Sequence, residues 1–85
     1  MILRKGDILR YDVIGTNKFV LIKYIRRINF EGDETIEGKY LYYPSKENKN
    51  GSVSKRIFSP NDPTLKQHNL KVTKISEDEA FGEMI

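Results

Sequence analysis

The fold of this chain is decided by residues 18–30, which read KFVLIKYIRRINF. Successive side chains of a strand point to opposite faces, and both faces of this stretch begin apolar, at residues 19–22. The odd-numbered face turns polar later, so we expect a β-bulge near Arg26-Arg27 that reorients the strand. A helix is the competing interpretation, but the β-branched and aromatic residues favour a strand.

Four more β-rich segments flank this stretch, separated by clusters of turn-forming residues. The segments are Asp7 to Ile14, Thr35 to Tyr43, Ser52 to Phe58 and Leu70 to Ile75, and the turn clusters are residues 15–17, 31–34, 45–51 and 59–63. Several short strands separated by turns are typical of an all-β domain. In the first segment the odd positions are apolar, so we expect Leu9, Tyr11 and Val13 to face the core.

The third and fourth segments are expected to pair across a long polar loop, residues 45–51. Asn50-Gly51 precedes the fourth segment and tolerates the positive φ angles of a hairpin turn. Gly38 lies inside the third segment, where we expect it to allow a bend or a close backbone approach.

The end of the sequence divides into a turn, a last strand and an acidic tail. Pro60 and Pro63 bar a regular strand, and Asp62-Pro63 predicts one helical or 3₁₀ turn before the last segment. In the tail, residues 76–85, Ser76 and Glu79 fit a capping box, and both a frayed helical turn and disorder stay open. The predicted organisation is one domain over residues 1–75 followed by this tail.

The order of these elements resembles that of the SH3-like barrels, which have five short strands with one turn of helix before the last. The opening Lys5-Gly6-Asp7-Ile8-Leu9 is similar to the K-G-D-hydrophobic start of many such domains, including KOW-type and Tudor-like ones. The resemblance covers Leu3 to about Ile75. It implies an all-β, five-stranded SH3-like barrel with a short 3₁₀ turn before the last strand and an acidic C-terminal tail.

Two further comparisons refine this resemblance. In size and in its Lys-, Asn- and Ile-rich composition, the chain resembles small SH3-like proteins encoded by phages and prophages of low-GC bacteria. It has no Trp and no Ala-Leu-Tyr-Asp-Tyr-like segment. It therefore departs from the SH3 domains that bind proline-rich peptides.

Residue types that carry catalysis or hold metal ions are scarce. The chain has no cysteine and one histidine, which excludes thiol nucleophiles and argues against a zinc site. His68 lies in the polar stretch 66–69, where a solvated loop residue is the expected role. The acidic cluster within residues 31–37 lacks the ligand spacing of a calcium loop. We therefore predict a protein that is not an enzyme and has no catalytic residue, metal ion or cofactor.

The sequence also bears on the compartment, which we predict to be the cytoplasm. The absence of cysteine favours a reducing environment. Residues 1–7 contain no apolar stretch of signal-peptide length. The longest apolar run, Phe19 to Ile22, is far shorter than the ~20 residues of a membrane helix, so we expect no membrane association.

Charge is unevenly distributed along the chain. Four of the 12 acidic residues lie in the tail with no basic residue beside them, which leaves 8 acidic against 15 basic residues and a net charge of +7 on the body. A basic body with an acidic tail indicates a polyanionic partner, or a tail that folds back on the body. The alternative is that this charge only keeps a small protein soluble.

Basic and aromatic residues of the middle strands form the candidate binding set. Nucleic-acid-binding barrels combine a cationic groove with exposed aromatic side chains on which bases stack. The set consists of Lys23, Arg26, Arg27, Lys39, Tyr40, Tyr42, Lys55 and Arg56. Strand alternation places Tyr40 and Tyr42 on one face and Tyr43 on the other, and we expect at least one of these faces to be core.

The sequence is compatible with two functions. The first is nucleic-acid binding through the basic and aromatic set. The second is a protein-interaction or assembly module of phage or prophage origin, which docks a partner on its barrel face or through the tail. Cations that converge around an exposed tyrosine favour the first, whereas scattered cations with an apolar patch elsewhere favour the second.

Overall fold

A computed structural model describes residues 1–45 and 49–84 of the chain. Its elements are β1 (Ile8–Val13), β2 (Phe19–Phe30), β3 (Asp33–Tyr42), β4 (Val53–Phe58), a 3₁₀ turn (Leu65–His68), β5 (Leu70–Ile75) and α1 (Glu77–Met84). The five strands form one antiparallel sheet in the order β4-β3-β2-β1-β5. The predicted mostly-β architecture is therefore confirmed, as is a 3₁₀ turn before the last strand. Residues 46–48 of the predicted loop and Ile85 of the tail lie outside the described residues.

The turn between β2 and β3 is shorter than the sequence indicated. Glu31 and Gly32 have φ angles of 52° and 86°, and a two-residue hairpin turn of this kind requires positive values at both central positions. Phe30 and Asp33 are therefore direct partners. As a result β3 begins at Asp33 rather than at Thr35.

The sheet is open and strongly curled. Its edges are β4 and β5, and the first strand pairs with the last, with Tyr11 opposite Val72. In a flat sheet β1 and β4 would lie ~14 Å apart, because two strands stand between them. Instead the Tyr11 hydroxyl donates a 2.5 Å hydrogen bond to the carbonyl oxygen of Phe58, at the end of β4. The sheet is therefore curled, and we call its concave side the inner face.

The inner face holds the main core of the protein. Its buried side chains are Leu9, Tyr11, Ile22, Tyr24, Ile36 and Ile57, and they form one cluster, the inner core. Burial of Leu9 and Tyr11 confirms the predicted core face of β1, although Val13 is only half-buried. Gly38 lies in the same layer, where a Cβ atom would collide with Cγ2 of Ile22. The same Cβ would lie 3.2 Å from the carbonyl oxygen of Lys23, so the close backbone approach expected at Gly38 is present.

A bulge interrupts β2 at Ile25. This residue has no partner between the pairs Tyr24–Gly38 and Arg26–Glu37. The bulge expected near Arg26-Arg27 is therefore present, one residue earlier in the chain. It lets the strand bend while Tyr24 stays in the inner core.

A second bulge, which the sequence did not predict, lies in β3 at Leu41. Tyr40 pairs with Ile22 and Tyr42 pairs with Leu21, so Leu41 is left without a partner. The bulge reverses the alternation, and Tyr40 packs against the inner core while Tyr42 packs on the opposite face. The expectation that Tyr40 and Tyr42 share one face is therefore wrong.

The opposite or outer face of the sheet is partly covered by α1. Its buried residues are Ile8, Leu21 and Ala80, the outer cluster, against which Phe19, Leu41, Tyr42 and Ile75 pack. This second core explains why both faces of β2 begin apolar. It also buries Ile8, which alternation had placed opposite the core face of β1.

The helix begins at the capping pair that the sequence indicated. The Ser76 hydroxyl accepts a hydrogen bond from the Glu79 backbone N–H at 3.2 Å and donates one to the Glu79 carboxylate at 3.3 Å. Residues 77–84, for which a frayed turn and disorder were both open, form an eight-residue helix that contacts the sheet through Ala80.

Candidate functional site

Lys23 and Lys39 are the centre of the candidate site. They are direct cross-strand partners of β2 and β3, so both side chains project from the outer face. Both are exposed, and neither forms an ion pair with any residue in the described part of the chain. Like charges directly opposite each other destabilise a sheet. This position therefore concentrates positive charge that no ion pair among the described residues neutralises.

The two arginines of the set are neutralised by carboxylates across the β2–β3 pair. Arg26 Nε lies 2.5 Å from Glu37 Oε1, and Arg27 Nη1 lies 3.3 Å from Glu34 Oε1. Arg26 shares the outer face with Lys39, because Glu37 and Lys39 are two residues apart on β3. Arg27 lies opposite Ile36 and lines a cleft at the inner face.

Lys55 and Arg56 are exposed on the edge strand β4. Together with Thr35 and Ile28 they border a shallow hollow of about 550 Å³ on the outer side of the sheet. Two acidic residues of the β2–β3 turn, Glu31 and Asp33, line the same hollow. The hollow therefore carries charges of both signs.

The tyrosines of the set are partly engaged in packing. Tyr40 meets Tyr43 edge to face, with ring centroids 5.2 Å apart, and packs against the inner core. Tyr42 stacks on Phe19 at 4.9 Å and packs against the outer cluster. Both are half-buried, so neither ring stands free as a stacking platform. Of the two, only Tyr42 lies on the face to which α1 docks.

Arg10 is a functional candidate that the sequence interpretation missed. Its Nε lies 2.9 Å from Asp12 Oδ1, and its Nη1 lies 2.6 Å from Glu83 Oε1 of α1. Its guanidinium carbon lies 4.3 Å from the centroid of the Phe19 ring. The hydrogen bond that Arg10 donates to the Asp12 carboxylate raises the pKa of Arg10, so the side chain remains a cation. The spacing of Arg10 and Asp12 on one strand face was visible in the sequence, but the contact with Glu83 was not.

The structure thus divides the predicted set. The outer face brings together Lys23, Arg26 and Lys39. Tyr42 lies on the same face, in the cross-strand pair next to that of Lys23 and Lys39. Lys55 and Arg56 border it at β4. Arg27 and Tyr40 belong to the inner side and are separated from the rest.

An apolar groove lies away from this surface. Its lining consists of Ile14, Pro63, Leu65 and Leu70, with Asp62, Lys66 and Lys71 at its margins, and its volume is about 440 Å³. Ile14 is 52% exposed there. The Asp62 carboxylate is occupied by the backbone N–H and hydroxyl of Thr64, which lowers its pKa.

Comparison with known proteins identifies no relative: no family model, curated protein or solved structure matches the chain. Within residues 1–45 and 49–84, no helix combines the length and apolar composition that crossing a lipid bilayer requires. Over the same residues, no three His, Cys, Asp or Glu side chains are grouped so that they could hold a metal ion.

Proposed function

We propose that this protein is a non-enzymatic module that binds nucleic acid through the outer face of its sheet. The observation that carries the proposal is the exposed pair Lys23 and Lys39. These lysines lie directly opposite each other on the adjacent strands β2 and β3, and neither forms an ion pair with a carboxylate among the described residues. A phosphate group bound between the two ammonium groups would offset their mutual repulsion.

Neighbouring basic residues extend this surface, so that it would contact several consecutive phosphates of a bound nucleic acid. Arg26 lies in the neighbouring cross-strand pair of the outer face, where it forms an ion pair with Glu37. A phosphate would compete with the Glu37 carboxylate for the Arg26 guanidinium. Lys55 borders the same side at β4. These contacts would go to the backbone of the nucleic acid, so the binding they support is strongly salt-dependent and independent of sequence.

The proposal also concerns the fold. We infer that the curled sheet is a member of the SH3-like barrels. What supports this is the sequence of five strands with the 3₁₀ turn Leu65–His68 directly before β5, together with the curl that brings Tyr11 to Phe58.

A charge-matched pair of double variants tests the proposed function. Lys23→Gln with Lys39→Gln removes the central pair, and Lys18→Gln with Lys66→Gln removes two exposed lysines elsewhere. Binding of labelled single-stranded and duplex oligonucleotides is followed by fluorescence anisotropy between about 50 and 200 mM salt. The first variant is expected to reduce the slope of log K against log salt by about 2, roughly one per phosphate contact, and the control much less. Equal losses in both variants, or no binding by the unmodified protein at low salt, would refute the proposal.

The second candidate is a protein-interaction or assembly module of phage or prophage type. The observation that favours it is the apolar groove beside Ile14, whose margin carries Lys66 and Lys71. The partner that fits is an acidic segment with an apolar side chain. Ile14→Glu would then abolish binding of a purified partner that survives nuclease treatment, whereas Lys23→Gln with Lys39→Gln would leave it intact.

A further inference from the structure

The helix α1 is attached to the sheet by few contacts. Among its described side chains only Ala80 is buried, with 1% of its surface exposed, and Phe81 is 63% exposed. A second attachment, among the side chains of α1 that the structure describes, is the ion pair between Glu83 and Arg10. Isolated helices shorter than ~12–15 residues are marginal in water, and Gly82 weakens this one further. Its docking is therefore easily reversed.

The surface beneath α1 has the chemistry of a nucleic-acid site. Arg10 lies over the ring of Phe19, and Phe19 stacks on Tyr42. This row is next to Lys23 and Lys39 on the outer face, because Tyr42 pairs with Leu21, two residues before Lys23. Cations beside aromatic rings are what single-stranded nucleic acid binds by phosphate contact and base stacking.

The helix occupies part of that surface and opposes the approach of phosphate to the rest. Ala80 is buried in the outer cluster, against which Phe19 and Tyr42 pack. The four carboxylates of α1, Glu77, Asp78, Glu79 and Glu83, are accompanied by no basic residue. Glu83 occupies the guanidinium of Arg10 at 2.6 Å. The other carboxylates repel phosphates that approach within a Debye length, about 8–10 Å at ordinary salt.

We propose that α1 is an intramolecular cover that competes with single-stranded nucleic acid for the outer face. When α1 detaches, Arg10, Phe19 and Tyr42 join Lys23 and Lys39 in one continuous basic and aromatic surface. This inference rests on the proposed function and adds to it both the form of the nucleic acid and the element that regulates access.

The test uses variants of the 85-residue chain that release or retain the helix. Ala80→Gln places a larger polar side chain against Ile8 and Leu21 without changing charge. Gly82→Ala is the control, since its Cβ meets no atom within 4 Å and it raises helix propensity. Ala80→Gln is expected to bind a labelled single strand about tenfold more tightly than the unmodified protein, because it exposes stacking surface, with a smaller gain for duplex. Gly82→Ala is expected to bind no more tightly than the unmodified protein.

A second pair of variants applies if Ala80→Gln does not fold, as judged by circular dichroism. Glu83→Gln breaks the ion pair with Arg10, and Asp78→Asn makes the same charge change at an exposed position of α1. The first is expected to increase single-strand affinity severalfold more than the second. Amide hydrogen exchange of residues 78–84 in the unmodified protein should also accelerate when the oligonucleotide is added.

The outcomes separate the two proposals. If the unmodified protein binds but neither Ala80→Gln nor Glu83→Gln binds single strands more tightly than its control, the cover is refuted and the proposed function stands. A larger gain for duplex than for single strand also refutes it. If no variant binds nucleic acid at low salt, both proposals fail together.

Discussion

Replacing Gly38 with alanine is expected to destabilise the protein by about 1–2 kcal/mol. The added Cβ would collide with Cγ2 of Ile22 and lie 3.2 Å from both Cδ1 of Ile57 and the carbonyl oxygen of Lys23. Overpacking of this kind costs about 1–3 kcal/mol. The backbone at Gly38 is not left-handed, so alanine returns about 0.4–1 kcal/mol by restricting the unfolded chain. The net loss lowers the melting temperature by roughly 5–15 °C.

Urea denaturation followed by far-UV circular dichroism measures this loss. Ile22→Leu removes the colliding Cγ2 methyl while conserving volume, so Gly38→Ala is expected to cost about 1 kcal/mol less in that background. Gly82→Ala is the matched control, because the same substitution meets open space there. If Gly38→Ala is as stable as the unmodified protein, or costs the same in the Ile22→Leu background, the packing argument is wrong.

Two more predictions concern Tyr11 and Ser76. Tyr11→Phe removes the hydrogen bond to the Phe58 carbonyl and is expected to cost about 1–2 kcal/mol at neutral pH. Burial raises the pKa of the Tyr11 hydroxyl above its ordinary 10.0. Its contribution is therefore complete below about pH 10 and is lost as pH rises through the folded-state value. Urea titrations at several pH values should show the difference between the two proteins shrinking above pH 10, and a constant difference would contradict this. Ser76→Ala removes the cap of α1 at about 1 kcal/mol, so hydrogen exchange of the helix amides should accelerate about fivefold, and unchanged exchange would contradict the cap.

Local patterns in the sequence were sufficient to place the strands. Alternation identified Leu9 and Tyr11 as core residues, and turn-forming residues marked where strands end, because both signals depend on near neighbours in the chain. The close approach at Gly38 was also predictable. A residue without a side chain inside a strand leaves space that another element fills.

The side on which Tyr42 lies was not predictable. The bulge at Leu41 has no glycine or proline to mark it, and one unpaired residue exchanges the faces of everything beyond it. Burial of Ile8 was missed for a different reason, since it depends on α1, which is distant in sequence. The pairing of Arg26 with Glu37 had a usable signal. Interpreted as a two-residue turn, Glu31-Gly32 sets the register that places those two residues opposite each other.

The pairing of the first strand with the last has a consequence for how the protein is made. Tyr11 and Val72 are partners near opposite ends of the chain, so β1 emerges from the ribosome long before β5 does. Until then one edge of β1 is open to other strands, and the loop that must close is long, which slows folding. The sheet is complete only when β5 has been synthesised and pairs with that edge.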